Sequence, residues 1–201
     1  MTAKFITLEG LDGAGKSTHI PSIIAALQAG GREVVSTREP GGTVLGERLR
    51  ELLLHDAMHA ETETLLMFAA RREHIANVIA PALERGAYVL SDRFTDATYA
   101  YQCGAKGVLA SKIEILERWV QEDLQPDITL LFDVPVEVSV ARLSTARSPD
   151  KFERESADFF TRIRNAYLER AHQNPARFRI IDANRPLEEV AKSVQQIIAT
   201  I

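Results

Sequence analysis

The chain has 201 residues, of which 45% are hydrophobic and 26% are charged, a composition typical of a globular protein with one sizeable core. Its formal net charge of −4 argues against a nucleic-acid polymer as partner, because such binding requires excess positive charge. The single cysteine, Cys103, excludes an internal disulfide. With neither a signal peptide nor an apolar run of about 18 residues, we expect a cytoplasmic protein that contacts no membrane.

The stretch FITLEGLDGAGKST, residues 5–18, predicts a strand, a phosphate-binding loop and the start of a helix. It contains the pattern G-x-x-x-x-G-K-S, and apolar residues of helical period follow over 20–27. Lys16 supplies positive charge for the β- and γ-phosphates, and Ser17 supplies a hydroxyl for Mg²⁺. Backbone N–H groups can wrap a polyphosphate where side chains are missing, as at Gly10, Gly13 and Gly15. We therefore predict polyphosphate binding rather than a glycine-rich turn that matches by chance.

The remaining chain alternates between predicted strands and predicted helices. Further strands are predicted at about 32–37, 86–93, 128–133 and 178–181. Helices are predicted at about 43–54, 61–84, 95–102, 109–124, 135–143, 152–172 and 187–198. This alternation predicts the α/β class, with a five-stranded parallel sheet covered by helices on both faces. The continuous hydrophobicity of 128–133 predicts an interior strand.

Charged residues follow several predicted strands, at the sheet edge where α/β proteins bind ligands. These residues are Asp12, Arg38, Asp92 and Asp133. Asp92 is interpreted either as a ligand of Mg²⁺ or its water, or as a helix N-cap. Asp133 has the same two readings, a Walker-B-type carboxylate or an N-cap.

The arginines predict a second anionic ligand besides the one on the phosphate loop. Arg38, Arg72 and Arg93 lie on different elements that face the same edge, which indicates a donor and an acceptor. Phe68 and Arg72 are four residues apart on one helix, so they are candidates for stacking on a base and bonding its exocyclic oxygen. The alternative for Phe68 is a place in the core.

A polar, basic stretch follows the helix predicted at 135–143. Its charges are Arg142, Arg147, Lys151 and Arg154, and it shows no helical period between 144 and 151. We interpret it as a lid that neutralises the transferring phosphoryl group and excludes water, with a solvated charge run as the alternative.

Taken together, these motifs resemble the thymidylate kinase family along almost the whole chain. The segments that carry the resemblance are GLDGAGKST (10–18), TREPGGT (37–43), LLMFAARREH (65–74), DRF (92–94), AYQ (100–102), DKFE (150–153) and IDA (181–183). The resemblance implies one P-loop kinase domain over 1–201, with a nucleoside monophosphate kinase-like fold and a lid at about 142–154. It also implies transfer of a phosphoryl group from ATP to dTMP with Mg²⁺, and a homodimer.

The resemblance assigns roles residue by residue. The implied catalytic residues are Lys16, Asp92, Arg93 and Arg147, where Arg147 is the lid arginine, and the implied metal ligands are Ser17 and Asp92. The ATP site would comprise Gly10, Leu11, Asp12, Gly13, Ala14, Gly15, Lys16, Ser17, Thr18, Arg142, Arg147, Lys151 and Ala183. The dTMP site would comprise Asp12, Arg38, Phe68, Arg72, Arg93, Thr98, Tyr101 and Gln102.

The chain departs from the family pattern at Cys103–Gly107, where family members often carry more glycines and an arginine, and at Lys151 and Phe94, where arginine and tyrosine are common. The turn at Glu39-Pro40 is a candidate for a cis peptide bond. Three alternatives to a dTMP kinase stay open. They are a kinase for another nucleoside monophosphate or a deoxynucleoside, a catalytically silent nucleotide-binding protein, and a regulatory GTPase, against which the missing N-K-x-D motif argues.

Overall fold

The computed structural model describes residues 3–143 and 150–201, and five strands within them form one parallel sheet. The strands are β1 (Phe5–Gly10), β2 (Val34–Arg38), β3 (Tyr88–Asp92), β4 (Ile128–Asp133) and β5 (Phe178–Asp182). Their order across the sheet is β2-β3-β1-β4-β5, so β1 lies in the middle and β4 has a neighbour on each side. The predicted fold class and the interior position of β4 are confirmed.

Helices connect the strands. They are α1 (Lys16–Ala29), α2 (Val44–His55), α3 (Ala60–His74), α4 (Ala80–Glu84), α5 (Thr95–Thr98), α6 (Ala110–Gln121), α7 (Val136–Leu143), α8 (Ala157–Gln173) and α9 (Leu187–Ile198). Two π-helical segments, Ile75–Ile79 and Tyr99–Ala105, continue α3 and α5. Within residues 3–143 and 150–201, no helix combines the length and the apolar character needed to cross a membrane.

The sheet has a hydrophobic core on each face. Successive side chains of a strand point to opposite faces. Accordingly, Ile6 and Leu8 pack into one buried cluster with residues of α1, α8 and α9, whereas Phe5 packs into a second cluster with residues of the α3–α4 region and α6. A strand buried on both faces needs a continuous apolar run, which explains the composition of β1.

The strand register brings the predicted site residues to one edge of the sheet. Leu8 of β1 pairs with Asp92 of β3, and Arg38 of β2 pairs with the same Asp92. On the other side, Gly10 pairs with Phe132, directly before Asp133. The carboxyl ends of four strands therefore meet where the phosphate loop begins.

The helix predicted over 61–84 is divided by a π-helical segment. The π turn Ile75–Ile79 ends directly before the α4 segment that contains Pro81. Proline cannot donate to a preceding carbonyl, and its ring crowds the turn before it, so a wider turn accommodates it without ending the helix. The helix predicted over 95–102 also extends in π form to Ala105, three residues beyond its predicted end.

The helix predicted from about residue 152 begins five residues later. Ser156 is the N-cap of α8, and its side chain accepts from the N–H of Phe159 at 3.3 Å. Residues 150–153 instead form a turn in which the Asp150 carboxylate accepts from the N–H groups of Phe152 and Glu153 at 2.9 and 3.0 Å. A serine competes well for the cap position, which helical period alone does not reveal.

Candidate active site

The loop after β1 has the geometry of an anion cradle. Gly10, Gly13 and Gly15 all have positive φ angles, and a Cβ at Gly10 would lie 2.4 Å from the carbonyl oxygen of Phe132. Gly15 is the N-cap of α1, and among the described residues no side chain caps this helix end. The first N–H groups of α1, with the positive end of its dipole, are thus left for an anion. Leu11 and Ala14 are buried, so the loop presents backbone at these positions.

Lys16 and Ser17 occupy the first turn of α1. The Lys16 ammonium is buried and donates to the carbonyl oxygens of Gly10 and Leu11, at 3.1 and 2.9 Å. Burial lowers its pKa, since the charged form is desolvated. Ser17 is exposed beside it, as is Thr18. The lysine therefore lies folded over its own loop, next to the exposed hydroxyl.

Arg93 connects the phosphate loop to other residues at the carboxyl-end edge of the sheet. Its guanidinium donates to the Asp12 carboxylate at 2.7 Å and to the hydroxyls of Tyr101 and Tyr167 at 3.0 and 2.9 Å. Burial would raise the pKa of Asp12, but the Arg93 and Lys16 charges hold it well below its usual range. Arg93 adopts φ 72°, a conformation that non-glycine residues seldom take and that is found mostly at functional sites.

A buried carboxylate lies behind Arg93. Glu9 accepts from the Tyr167 hydroxyl at 2.8 Å and from the N–H of Phe94 at 2.8 Å. Its burial, together with the negative charge of Asp96, raises the pKa of Glu9 to about 8. The chain Glu9–Tyr167–Arg93–Asp12 thus ties β1, α8 and the residue after β3 to the phosphate loop.

Asp92 ends β3 beside this network, and one oxygen of its carboxylate is buried without a hydrogen-bond partner among the described residues. Such an oxygen is costly unless a ligand satisfies it. No group of three or more metal-binding side chains occurs in the described part of the chain. Mg²⁺ is usually held by one or two protein oxygens together with substrate phosphates, so Asp92 and Ser17 fit that ion.

A cavity extends from Asp12 and Arg93 toward α3. It is lined by Asp12, Glu39, Pro40, Arg50, Leu54, Met67, Arg71, Arg93, Phe94, Ala97, Thr98, Tyr101, Gln102, Asp150 and Phe152. Aromatic and aliphatic side chains alternate with a few charged groups, a composition typical of a site for a small organic anion. The cavity adjoins the phosphate loop at Asp12, whose carboxylate pairs with Arg93.

Arg71 is a charged residue in the lining of this cavity. Its side chain is 2% exposed, and it donates to Glu39 at 2.7 Å and to the Thr98 hydroxyl at 2.9 Å. Its Nη1 has no hydrogen-bond partner among residues 3–143 and 150–201. A buried guanidinium nitrogen without an acceptor is unfavourable, so this donor is available to an acceptor on a ligand.

Comparison with known proteins agrees with this geometry. The sequence model of the thymidylate kinase family matches residues 8–194. The chain belongs to the thymidylate kinase family. It is 71% identical over 198 residues to the thymidylate kinase of Methylobacillus flagellatus, covering 98% of both chains, and 62% identical over 203 residues to that of Cupriavidus taiwanensis, covering 100% of both. Family membership identifies the activity as ATP-dependent phosphorylation of dTMP to dTDP.

A solved structure shows the same fold. The crystal structure of thymidylate kinase from Ehrlichia chaffeensis superposes with a TM-score of 0.78 at 33% identity, covering 98% of this chain and 99% of that one. The architecture is thus that of a thymidylate kinase, with the P-loop nucleoside monophosphate kinase topology predicted from the sequence.

The assignment of the base-binding arginine requires correction. Arg72 does not line the cavity; it donates to the carbonyl oxygen of Val120 at 3.0 Å, on the side of α3 that faces α6. The neighbouring Arg71 lines the cavity. Phe68 is 1% exposed and belongs to the second core cluster, with its ring 4.7 Å from the Arg71 guanidinium carbon. The core reading of Phe68 is therefore the one that the structure shows, and Met67 lines the cavity instead.

Three other charged residues differ from the sequence interpretation. Asp133 accepts two hydrogen bonds from Arg164 of α8, at 2.7 and 2.8 Å, an ion pair that neither interpretation includes. Lys151 pairs with Glu63 at 2.8 Å and donates to the carbonyl oxygen of Asp56 at 2.9 Å, contacts that lie away from the phosphate loop. Arg38 pairs with Glu47 at 2.9 Å, is half exposed, and is not part of the cavity lining.

Other assigned residues line the cavity or contact the phosphate loop. Thr98, Tyr101 and Gln102 line the cavity. Arg142 donates to the carbonyl oxygens of Gly13 and Ala183, at 3.3 and 3.2 Å, which places it against the phosphate loop. Arg147 lies outside the described residues. The Glu39–Pro40 peptide is cis, as expected for that turn.

Arg50 is a cavity residue to which no sequence motif assigned a role. It lines the cavity and donates to the carbonyl oxygen of Pro40 at 2.9 Å, and burial lowers its pKa, as do the charges of Arg38 and Arg93. A signal was available, because Arg50 is four residues after Gly46 and three before Leu53, the two buried residues of α2. A charged residue on the buried face of a helix indicates a ligand or an ion partner.

Proposed function

We propose that the phosphate loop binds ATP, that the cavity between the loop and α3 binds dTMP, and that the phosphoryl group moves between them beside Arg93. The cavity begins at Asp12 of the phosphate loop, and this single observation supports the arrangement best. In-line transfer needs the two phosphate chains to meet end to end, and catalysis then consists mostly of positioning and charge neutralisation. The attacking phosphate oxygen is already anionic, so no strong general base is required.

On the donor side, we propose that the backbone of Gly10–Thr18 wraps the ATP phosphates and that Lys16 turns from its loop carbonyls to the β- and γ-phosphates. Arg142 and Ala183 would flank the nucleotide, which their contacts with each other and with Gly13 support. Arg147 remains the proposed lid catalyst. The proposed domain spans 1–201 with a lid at about 142–154, of which 144–149 lies outside the described residues.

Mg²⁺ would be held by the Ser17 hydroxyl and the Asp92 carboxylate together with the phosphates. When bound, the ion neutralises charge on the β- and γ-phosphates. The partnerless buried oxygen of Asp92 supports this proposal. Asp92→Asn should raise the Mg²⁺ concentration needed for half-maximal activity and weaken Mg²⁺-dependent binding of ATP in calorimetry. An unchanged Mg²⁺ dependence in both assays would remove Asp92 from the metal site.

On the acceptor side, we propose that Arg50 and Arg93 hold the dTMP phosphate, with Arg38 nearby, and that Tyr101 packs under the sugar and disfavours a 2′-hydroxyl. Arg71 would donate to an exocyclic oxygen of the base, between Met67 and Phe94. The free Nη1 of Arg71 and the places of these residues in the cavity lining support the arrangement.

An exposed apolar surface supports a homodimer. Large apolar side chains on and near α3 and α6 are more than half exposed, namely Leu65, Leu109, Ile115 and Trp119, of which Trp119 is 77% exposed. Exposed apolar patches of this kind mark interaction surfaces. Light scattering should give twice the chain mass, and Trp119→Glu should shift it toward one chain mass. A cytoplasmic location remains a prediction, supported by the lone Cys103.

The acceptor is tested by ADP release from ATP and Mg²⁺ with dTMP, dUMP, UMP, dCMP, dGMP and thymidine. We expect the highest kcat/KM with dTMP. A different preferred acceptor would favour a kinase for another nucleoside monophosphate or a deoxynucleoside, with the fold and phosphate loop unchanged. Binding of ATP and dTMP without ADP release would favour a silent nucleotide-binding protein.

A further inference from the structure

One buried carboxylate outside the proposed reaction centre lies where three segments of the chain meet. Glu63 of α3 has no exposed side-chain surface. It accepts from the Gln102 amide at 2.9 Å and from the Lys106 ammonium at 2.8 Å, and it pairs with the Lys151 ammonium at 2.8 Å. A buried glutamate is unfavourable unless it is paired, and here it is paired with more positive charge than it carries.

The partners of Glu63 either line the acceptor cavity or lie beside residues that line it. Gln102 lines the cavity directly. Lys151 lies between Asp150 and Phe152, which both line it. The ammonium groups of Lys106 and Lys151 are 4.5 and 5.1 Å from the centre of the Phe152 ring. Glu63 therefore holds the π-helical segment Tyr99–Ala105 and the 150–153 turn against the same cavity.

Glu63 also determines which way round the Gln102 amide lies. An ionised carboxylate only accepts hydrogen bonds, so the end of the amide that faces Glu63 has to be the NH₂ group. The carbonyl oxygen of Gln102 is then the end left for a ligand. Among the cavity groups it complements Arg71, whose unpartnered Nη1 is a donor.

A donor and an acceptor that line the same cavity can select the edge of a base. Thymine and uracil present a carbonyl oxygen next to an N–H, whereas cytosine presents an amino group next to an unprotonated ring nitrogen. A site built to hydrogen-bond one pattern rejects the other because buried polar groups are left unpaired.

We propose that Glu63 is a positioning residue for base selection, which fixes the Gln102 amide with its carbonyl oxygen toward the base and anchors the 150–153 turn through Lys151. The proposal rests on the proposed acceptor site. It predicts that neutralising Glu63 impairs base discrimination more than it impairs the phosphoryl transfer step.

The test is steady-state kinetics of Glu63→Gln with dTMP and dCMP as acceptors. A neutral amide at position 63 both donates and accepts, so it no longer orients Gln102. We expect KM for dTMP to rise about tenfold, the magnitude of one lost hydrogen bond, with a smaller change in kcat. The ratio of kcat/KM for dTMP over dCMP should fall by about the same factor. The matched control is Glu61→Gln on the same helix, which removes an exposed ion pair with Lys112 and should leave both values unchanged.

Three further variants complete the test. Lys151→Met leaves Glu63 paired with Lys106 and Gln102, so it should raise KM for dTMP without changing the base ratio. If Glu63→Gln does not fold, the double variant Glu63→Gln/Lys106→Met replaces it, because it removes the Lys106 ammonium together with the carboxylate charge that pairs with it. The same fall in the ratio of kcat/KM for dTMP over dCMP is expected. A folded variant at position 63 with the wild-type base ratio overturns the proposal, whether or not its Tm is lower. If Gln102→Ala also leaves KM unchanged while the wild type phosphorylates dTMP, the acceptor site itself is misplaced.

Discussion

Substituting the two adjacent arginines of α3 separates the structural assignment from the sequence-based one. Arg71→Lys keeps the positive charge beside Glu39 but removes the fork that reaches Glu39, Thr98 and the cavity together. Arg72→Lys is the matched control, because Arg72 contacts the Val120 carbonyl and not the cavity. Methionine at position 71 is less suitable, since removing one partner of a buried ion pair costs about 3–5 kcal/mol of stability.

The expected effect follows from the unpartnered Nη1. A hydrogen bond from a charged group is worth about 1.5–3 kcal/mol, so losing it should lower kcat/KM for dTMP by a factor of about 10 to 150. The loss should fall mostly on KM, because the base is bound alike in the ground state and in the transition state. The measurement is ADP release at saturating ATP and varied dTMP, with thermal unfolding as a check on folding. A raised KM in Arg72→Lys together with a normal KM in Arg71→Lys would refute the reasoning and restore the sequence-based assignment.

Three further predictions concern the core, the pH dependence and the lid. Phe68→Ala should lower the free energy of unfolding by about 3–5 kcal/mol in denaturant titration, because the ring is buried in the second core cluster; a stable variant with only a raised KM would place the ring on the base instead. Glu9 has a pKa of about 8 in the folded chain and an ordinary value of 4.5, so the folded state binds the extra proton and stability should fall as pH rises between about 5 and 8. Tm measured across that range should fall less steeply in Glu9→Gln, and equal slopes would contradict the shift. Arg147→Ala should lower kcat with little change in KM for dTMP, by up to the roughly 10³-fold or greater effect of a catalytic arginine; a wild-type kcat would assign catalysis to another residue.

Much of the fold follows from local chemistry that is visible in the sequence. A loop that wraps a polyphosphate needs backbone without side chains, and therefore glycines. Their spacing before Lys16 identifies the phosphate loop from the sequence alone. The apolar runs of β1 and β4 predict strands buried on both faces, and the order of strands and helices leaves few topologies for a parallel sheet. With the family resemblance, this was enough to predict the α/β class, the ATP loop and the activity.

The direction in which a side chain points is harder to predict from the sequence than the helix or strand that carries it. Arg71 and Arg72 differ by one position, which is a rotation of about 100° around a helix. Their spacing from Phe68 suits either residue, so only the packing of α3 between the cavity and α6 distinguishes them. The cap at Ser156 and the π turn before Pro81 likewise depend on neighbours that helical period does not report.

The sequence by itself determined the phosphate loop, the alternation of strands and helices and the family, because each depends on residues close together in the chain. Which charged residues line the cavity depends on the folded chain. Folding brings together Glu63, Gln102 and Lys151, which are far apart in sequence. Folding also pairs Asp133 with Arg164. A buried charge takes its partner from whatever the fold places beside it, and that neighbour is set by packing rather than by sequence spacing.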